Sequence, residues 1–428
     1  MKIVNIVPGF GGTFYCGNCL RDSAYVRSLR NLGHDAVTLP VYLPLSLDGK
    51  VGKPDKPVFY GAVNIYLKQA FPIMRKMPAW MEKAFNSDWI LKYAASKAGS
   101  TRAEGLEDMT TSMLMGMDGN QASELRELVD FLKYHEKPDI VHFSNALLIG
   151  MAKSIKEETG IPTVCSLQDE DVWIDAMRPE YQEEMWNLLA EKARDIDAFI
   201  AVSSYFAGIM KDKMHIPEEK LHVIPIGIIP ENYEVHKPAI DPPAIGYLSR
   251  LNEENGFSIL VDAFIKLKSD PQFRTLKLIA TGGKTGDDKA FIALQVKKLK
   301  NAGLLDFVEF PDDFSAIGIR ELFKSISLLS VPVLKGEAFG IYQIEAMASG
   351  IPIVQPSLGA FPEIVEKTSG GLIYNPNTPN ALAQKLAEAL TTPGLLEKLS
   401  LAGQENVEKY YNSNLLTNKM TDLYSSVL

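Results

Sequence analysis

The sequence predicts an α/β fold with two doubly wound, parallel-sheet domains. The chain has 428 residues. This length exceeds what a single hydrophobic core usually supports, so two domains of roughly 200 residues each are expected. Short apolar runs alternate with helical patterns in both halves, and a stretch with five prolines, residues 225–243, separates the two series. Strands that alternate with helices form βαβ units, and these assemble into parallel sheets.

Each half contains six apolar runs that we interpret as strands. Near-continuous Val, Ile and Leu of this length are typical of strands covered on both faces. The runs of the first half are KIVNIV, AVTLPVYL, DIVHFS, PTVCSL, AFIAVS and LHVIPIG, and those of the second are AIGYLS, LKLIATGG, FVEFPD, SISLLSVPV, IPIVQPS and GGLIY.

We predict a first domain over residues 1–232, a second over 233–403, and a last helix over 404–428 that crosses back to the first. A segment rich in Met, Lys and aromatics, about residues 49–130, interrupts the first series and is predicted to be helical. Packing methionines and a solvated lysine face account for its composition, and a membrane-contacting helix is the alternative. Ligands of such paired domains bind at the carboxyl ends of the strands, in a central cleft.

The composition is that of a globular protein, with 46% hydrophobic and 23% charged residues. A net charge of −9 argues against nucleic acid as the main partner. No apolar run approaches the ~20 residues of a membrane span, and the first strand reaches a glycine loop too early for a signal peptide. We therefore expect a cytoplasmic protein without a transmembrane segment.

Three cysteines, Cys16, Cys19 and Cys165, are too few for a disulfide framework. The CxxC of Cys16 and Cys19 is compatible with a redox pair or half of a zinc site, but no second CxxC or CxxH completes four ligands. Small residues that close a tight turn are the favoured interpretation. No metal site is predicted.

Two glycine turns follow predicted strands. Gly11 and Gly12 come after the first strand and before a helical pattern, where backbone N–H groups and the helix dipole favour a phosphate. The turn lacks the full GxGxxG of dinucleotide-binding proteins. A second stretch, TGGKT at 281–285, resembles the end of a P-loop, but Leu278 stands where its first glycine is required, so a strand-end turn is favoured.

Charged residues flank two strands of the second half. Arg250 closes the strand AIGYLSR, where its guanidinium would grip a pyrophosphate or pair with Glu253 or Glu254 at the surface. The stretch GEAFGIYQIEAMASG places Glu337 on a loop and Glu345 on the helix that follows. Carboxylates accept hydroxyl hydrogen bonds, and the N–H groups of Gly340 and Ile341 at the helix start favour an anion. Two solvated charges are the alternative.

These features together resemble the retaining glycosyltransferases of family 4, whose two Rossmann-like domains form the GT-B arrangement. GEAFGIYQIEAMASGIPIV reproduces the family's two glutamates separated by seven residues, and GAFPEIV, YLSRLNEENG, GFGGTF and LRNLGHDAVTL resemble further family segments. The similarity extends over nearly the whole chain.

The resemblance implies transfer of a sugar from a nucleotide sugar to an acceptor hydroxyl with retention, without a cofactor or a bound metal. It assigns Glu345 to the nucleotide ribose, Glu337 to the hydroxyls of the donor sugar, and Arg250 to the diphosphate leaving group. We expect Glu337, Arg250 and His142 to be catalytic. The residues expected to contact substrate are Gly11, Gly12, Asn255, Phe339, Gly340, Ile341 and Glu345.

The sequence departs from the family pattern at two places. Asn255 replaces the usual lysine near the diphosphate, which removes one cation unless Lys284 or another base compensates. Only His142 remains of the histidines expected in the first domain, because Gln168 stands where another is usual. His142 is either functional or a strand-end histidine with satisfied hydrogen bonds.

A nucleotide-sugar-dependent glycosyltransferase is the leading interpretation. A catalytically silent nucleotide-sugar-binding protein and a phosphorylase or epimerase on the same fold are the alternatives. The acceptor is a sugar, a lipid-linked molecule or another small molecule, and peripheral contact with a membrane stays open.

Overall fold

The computed structural model describes residues 1–8, 17–41, 46–47, 50–51 and 105–428. Gly11, Gly12, Cys16, the side chain of Cys19 and residues 52–104 of the predicted insertion lie outside this description. The predicted α/β class is confirmed, since the chain forms two parallel sheets of six strands each, with helices between the strands. A two-stranded antiparallel sheet of Ser46–Leu47 and Lys50–Val51 accompanies them.

Contacts divide the chain into two compact units. The first unit extends to Pro225 and also contains Leu416–Leu428, whereas the second extends from Ile226 to Leu415. The proline-rich segment therefore starts the second unit. Its backbone hydrogen-bonds there, from His236 N to Ser349 O at 2.9 Å and from Ala239 N to Ile326 O at 3.0 Å.

The first sheet has the strand order β2-β1-β5-β6-β7-β8, and all neighbours are parallel. Its order reverses between β1 and β5, which makes the carboxyl ends of these strands a topological switch point. The strands are β1 Lys2–Val7, β2 Asp35–Pro40, β5 Ile140–Phe143, β6 Thr163–Leu167, β7 Ala198–Ala201 and β8 Leu221–Val223; β3 and β4 are the short antiparallel pair.

Helices of the first unit begin and end at recognisable signals. Ser203 caps one by accepting a hydrogen bond from Phe206 N, and Gly160 ends another in the left-handed conformation. The described end of the predicted insertion, residues 105–130, is helical. The helices are α1 Gly17–Asn31, α2 Glu107–Leu114, α3 Ala122–Asp130, α4 Ala152–Thr159, α5 Glu170–Ile174, α6 Pro179–Lys192 and α7 Ser204–Met214, and α3 continues as a π-helical segment, Phe131–Glu136.

The last helix of the chain, Ser413–Val427, completes the core of the first unit. Leu416, Met420, Leu423 and Tyr424 lie on one helical face and pack among buried residues of the first sheet and of α1. The first unit therefore consists of segments that lie far apart in the sequence.

The second sheet repeats the doubly wound plan with the order β11-β10-β9-β12-β13-β14. Its switch point lies between β9 and β12, which are hydrogen-bonded neighbours. The strands are β9 Ala244–Leu248, β10 Lys277–Thr281, β11 Val308–Glu309, β12 Leu328–Leu329, β13 Ile353–Pro356 and β14 Gly371–Tyr374. The helices of the second unit are α8 Phe257–Lys268, α9 Lys289–Asn301, α10 Ala316–Ser325, α11 Ile341–Ala348, α12 Phe361–Thr368, α13 Pro379–Thr391 and α14 Leu395–Tyr411. The last helix of the chain, Ser413–Val427, is α15.

Two loops approach each other closely at this switch point. Gly256, which begins α8 with φ +72°, lies so near the chain after β12 that a Cβ atom would overlap the carbonyl oxygen of Pro332. The backbone N–H of Leu334 also donates to Glu254 O at 2.9 Å. The loops after β9 and after β12 are therefore fixed to one another by their backbones.

Within the ranges described, none of the helices combines the length and the apolar character needed to cross a bilayer.

We expect Gly256→Ala to lower the free energy of unfolding by about 2 to 4 kcal/mol, because it adds a clash to left-handed strain. The matched control is Gly394→Ala in the same unit, which has φ +72° and no heavy atom within 4 Å of a built Cβ. That variant retains only the strain, of about 1 kcal/mol. Urea unfolding followed by fluorescence measures both, and equal losses would show that the contact with Pro332 is unimportant.

Candidate functional site

The residues assigned to the donor converge on the switch point of the second sheet. Arg250 follows β9, Glu337 follows β12, and Glu345 lies on α11, the helix after β12. Because β9 and β12 are parallel neighbours, their carboxyl ends meet at one edge of the sheet. The second unit alone therefore brings together these three residues with Asn255, Phe339, Gly340 and Ile341.

Glu337 lies in the loop that leads into α11. Gly340 begins the helix in the left-handed conformation, with φ +79°, and Ile341 is its first residue. The phenol of Tyr342 reaches back and donates to Glu337 Oε2 at 2.6 Å. The loop carbonyl of Glu337 accepts from Ala360 N at 3.0 Å, so the chain after β13 supports it. The carboxylate is thus held at the amino-terminal end of a buried helix.

Glu345 lies one helical turn further along α11 and is 5% exposed. A buried carboxylate needs hydrogen-bond donors, and Tyr233 donates its phenol proton to Glu345 Oε1 at 2.6 Å. Phe339 is also buried, and its ring packs against Tyr411 at a centroid distance of 5.8 Å. Phe339 can therefore offer substrate its backbone, whereas its ring belongs to the packing of the second unit.

Arg250 is held by a carboxylate that the sequence analysis did not select. Its Nε and Nη2 donate to the two oxygens of Asp288 at 2.8 and 2.9 Å, and Nη2 also donates to Thr285 Oγ1 at 2.8 Å. Its partner is thus Asp288 rather than Glu253 or Glu254. Thr285 and Asp288 form a capping box, a T-x-x-D signal that the sequence displays.

The pKa of Asp288 responds to these neighbours. Burial pushes it upward, but hydrogen bonds from Arg250 and Thr285 outweigh burial, so the pKa lies below its usual value. Asp288 is therefore ionised at neutral pH and balances the charge of Arg250. Within the described residues Nη1 of Arg250 has no hydrogen bond.

Asn255 serves the loop between Arg250 and α8. Its Nδ2 donates to Ser249 Oγ at 2.8 Å and to Arg250 O at 3.3 Å, and its backbone N–H donates to Asn252 Oδ1 at 2.9 Å. These bonds fix the loop without supplying a positive charge. Lys284, considered as a substitute cation, pairs with Asp312 at 3.2 Å and is about half exposed.

His142, the remaining residue assigned to catalysis, lies in β5 of the first unit. Its Nδ1 hydrogen-bonds the phenol of Tyr424, and its Nε2 hydrogen-bonds Ser166 Oγ at 2.8 Å. Burial, with Arg21 nearby, lowers its pKa to about 3. The imidazole is therefore neutral at physiological pH, and both of its nitrogens are hydrogen-bonded within the protein. The catalytic role expected of His142 stays a prediction.

A buried polar cluster at the carboxyl ends of β5 and β6 was not found by sequence analysis. Arg21 and Gln168 both donate to Ser144 O, at 2.8 and 2.9 Å, and Arg21 pairs with Asp22. Glu170 accepts from the backbone N–H groups of Ala146 and Gln168 at 2.8 and 2.7 Å, and burial raises its pKa to about 8. These residues follow strands or lie on α1, and no spacing rule identifies them.

Across the described ranges, no group of three or more His, Cys, Asp or Glu side chains is arranged to hold a metal ion. Cys165 is a buried free thiol whose pKa burial raises well above its usual value.

Known families match segments in both halves of the chain. Residues 229–406 match the family Glycosyl transferases group 1, and residues 115–232 match Glycosyltransferase Family 4. The first match contains every residue assigned to the donor in the second unit. The chain is a glycosyltransferase.

Two relatives of this chain are also named as glycosyltransferases. The MMP alpha-(1->4)-mannosyltransferase of Mycolicibacterium hassiacum is 24% identical over 76% of this chain and 79% of the relative. An uncharacterised glycosyltransferase of Methanocaldococcus jannaschii is 22% identical over 68% of this chain and 75% of its own. Both alignments extend across the two units.

Solved structures show that this glycosyltransferase has the GT-B fold. HepE of Anabaena, in complex with UDP, has a TM-score of 0.70 at 16% identity, and each chain is covered completely. Sucrose-phosphate synthase of Thermosynechococcus elongatus has a TM-score of 0.71 at 16% identity and covers 100% of this chain and 99% of its own.

The burial of His142 predicts a pH-dependent stability. Its imidazole binds a proton near pH ~6.5 in the unfolded chain but near a pKa of about 3 in the folded protein. The free energy of unfolding therefore decreases as the pH falls from ~6.5 towards the folded pKa of about 3. We expect the free energy of unfolding of wild type to exceed that of His142→Asn by about 2 kcal/mol less at pH ~5.0 than at pH ~7.5.

Urea unfolding at both pH values measures this change. His135→Asn, at an exposed position, is the control for removing a histidine from the unfolded chain. A wild-type advantage over His142→Asn that stays constant with pH would contradict the prediction.

Proposed function

We propose that this glycosyltransferase transfers a sugar from a nucleotide-diphosphate sugar to an acceptor hydroxyl with retention at the anomeric carbon, as the family 4 resemblance implies. The arrangement of Glu337 and Glu345 on either side of Gly340, at the switch point of the second sheet, carries the proposal. Carboxylates are suited to hydroxyls, and the start of α11 is suited to a phosphate. HepE, a structural neighbour, has been crystallised with UDP and with UDP-glucose.

In this proposal Glu345 accepts hydrogen bonds from the ribose hydroxyls, and Glu337 accepts them from the donor sugar. The backbone of Phe339, Gly340 and Ile341 faces the sugar and the diphosphate. The substrate contacts expected of Gly11 and Gly12 stay predictions, because both residues lie outside the described part of the chain.

Leaving-group stabilisation is the main catalytic effect expected, because charge builds up on the diphosphate as the glycosidic bond breaks. Arg250 is paired with Asp288, and Asn255 supplies no charge, so we assign this task to the backbone amides at the start of α11 together with the guanidinium of Arg250. Neither a metal nor a cofactor is part of the proposal. The acceptor hydroxyl attacks on the face that the diphosphate leaves, and the diphosphate takes its proton.

Asn255, where the family usually has a lysine, favours one alternative function. In this alternative the protein binds a nucleotide sugar without turning it over. Slow hydrolysis of UDP- or GDP-sugars by the purified protein would support the transferase. Tight binding without release of sugar, with any acceptor tested, would favour the silent protein. Release of a sugar phosphate from a disaccharide and inorganic phosphate would indicate a phosphorylase.

The assigned roles predict different defects for two matched substitutions. Glu345→Gln should raise the Kd of the free nucleoside diphosphate by about ten- to a hundredfold, because the ribose loses a charged acceptor worth about 1.5 to 3 kcal/mol. Glu337→Gln should leave that Kd within about twofold and lower kcat of donor hydrolysis by about tenfold or more. Titration calorimetry and product assays measure both. The reverse pattern would refute the assignment.

A panel of UDP-, GDP-, ADP- and dTDP-sugars identifies the donor by thermal shift. A ligand present at about a hundred times its Kd stabilises the folded protein by about 2.7 kcal/mol. We expect one base to raise Tm selectively and Glu345→Gln to reduce that shift. The absence of a shift with every nucleotide sugar would contradict the proposed donor class.

A further inference from the structure

Each carboxylate of the proposed donor site is hydrogen-bonded by a tyrosine that neither the family resemblance nor the sequence analysis selected. Tyr233 donates to Glu345 and Tyr342 donates to Glu337, both at 2.6 Å. We infer that Tyr233 and Tyr342 are positioning residues that orient the two carboxylates before donor binds. The inference rests on the proposed function, since it concerns the same two glutamates.

Tyr342 is the second residue of α11 and is 2% exposed. Its ring lies over Gly340, because a Cβ atom built on that glycine would come within 3.1 Å of Tyr342 Cζ and Oη. The phenol thereby passes across the helix start and reaches the half-buried loop carboxylate of Glu337. A long side chain on a loop has several rotamers, and this hydrogen bond selects the one that faces the start of the helix.

Tyr233 bonds the second carboxylate, that of Glu345 on α11. It lies in the proline-rich segment and is separated from Glu345 by 112 residues of sequence. Its own backbone N–H donates to Pro230 O at 2.9 Å, which closes a turn and fixes the base of the side chain. Glu345 is on a rigid helix, so the phenol chiefly determines which way its carboxylate is rotated.

A phenol is chemically suited to this task. It donates one proton and carries no charge, so it orients a carboxylate without neutralising it. Asp288 shows the contrast in the same unit, because both of its oxygens are bonded by the Arg250 guanidinium. A carboxylate in such an ion pair is a weaker acceptor for substrate hydroxyls, whereas a hydrogen bond from a phenol adds no positive charge to the site.

Tyrosine to phenylalanine substitutions test the inference, because they remove only the phenolic oxygen. Tyr233→Phe should raise the Kd of the nucleoside diphosphate about fivefold or more and change kcat of donor hydrolysis less than about threefold. Tyr342→Phe should lower kcat about fivefold or more and leave that Kd within about twofold. Tyr374→Phe is the matched control, because this buried tyrosine of the same unit donates to Asn377 Oδ1 at 2.8 Å. It should leave both quantities unchanged.

Double-mutant cycles separate positioning from a general effect on packing. Tyr233→Phe should have no further effect on Kd in the Glu345→Gln background, and Tyr342→Phe none on kcat in the Glu337→Gln background. The inference would be overturned if each tyrosine substitution changed Kd or kcat by the same factor in wild type and in the matching glutamate variant. 4-Aminophenylalanine at position 342 restores an N–H donor and should recover kcat, which keeps the test decisive if Phe lowers stability there.

The same measurements distinguish failure of the inference from failure of the proposed function. If Glu345→Gln and Glu337→Gln leave Kd and kcat unchanged, the proposed roles of the glutamates fail. If those variants show their defects but the tyrosine variants behave like Tyr374→Phe, only the positioning role is wrong.

Discussion

The proposed donor site depends on the close approach of two backbones at the switch point of the second sheet. Gly256 lies directly against the carbonyl of Pro332, and this contact connects the loop that carries Arg250 to the loop that carries Glu337. A side chain at position 256 would push the two loops apart. The spacing of the charged groups therefore follows from backbone packing, and the side-chain hydrogen bonds refine it.

The charges of the site are organised in two ways. Arg250 and Asp288 form a closed, two-pronged ion pair that fixes the guanidinium and balances its charge. Glu337 and Glu345 each accept a hydrogen bond from a phenol, which adds no positive charge. Because Asn255 stands where the family usually has a lysine, that position supplies no positive charge, and an anionic leaving group depends more on peptide dipoles.

The fold and the donor-side residues could be predicted because their signals are local. Apolar runs and a proline-rich break gave both sheets, and GEAFGIYQIEAMASG predicted a loop glutamate and a helical glutamate. The partners of Glu345 and Arg250 could not be predicted, because they depend on contacts across long sequence separations. Tyr233 reaches Glu345 from the start of the second unit. Asp288 follows the next strand, β10, and lies 38 positions after Arg250 in the sequence. The pairing of His142 with Tyr424 likewise joins residues that are 282 positions apart.

The last helix has a consequence for how the protein folds during synthesis. Leu416, Met420 and Tyr424 pack in the core of the first unit, so that core stays incomplete until the chain as far as Tyr424 has left the ribosome. The second unit, most of which is the segment from Ile226 to Leu415, can reach its native packing earlier. Although it is translated first, the amino-terminal half is thus expected to be the later of the two to mature, with its apolar sheet open to chaperones in the interval.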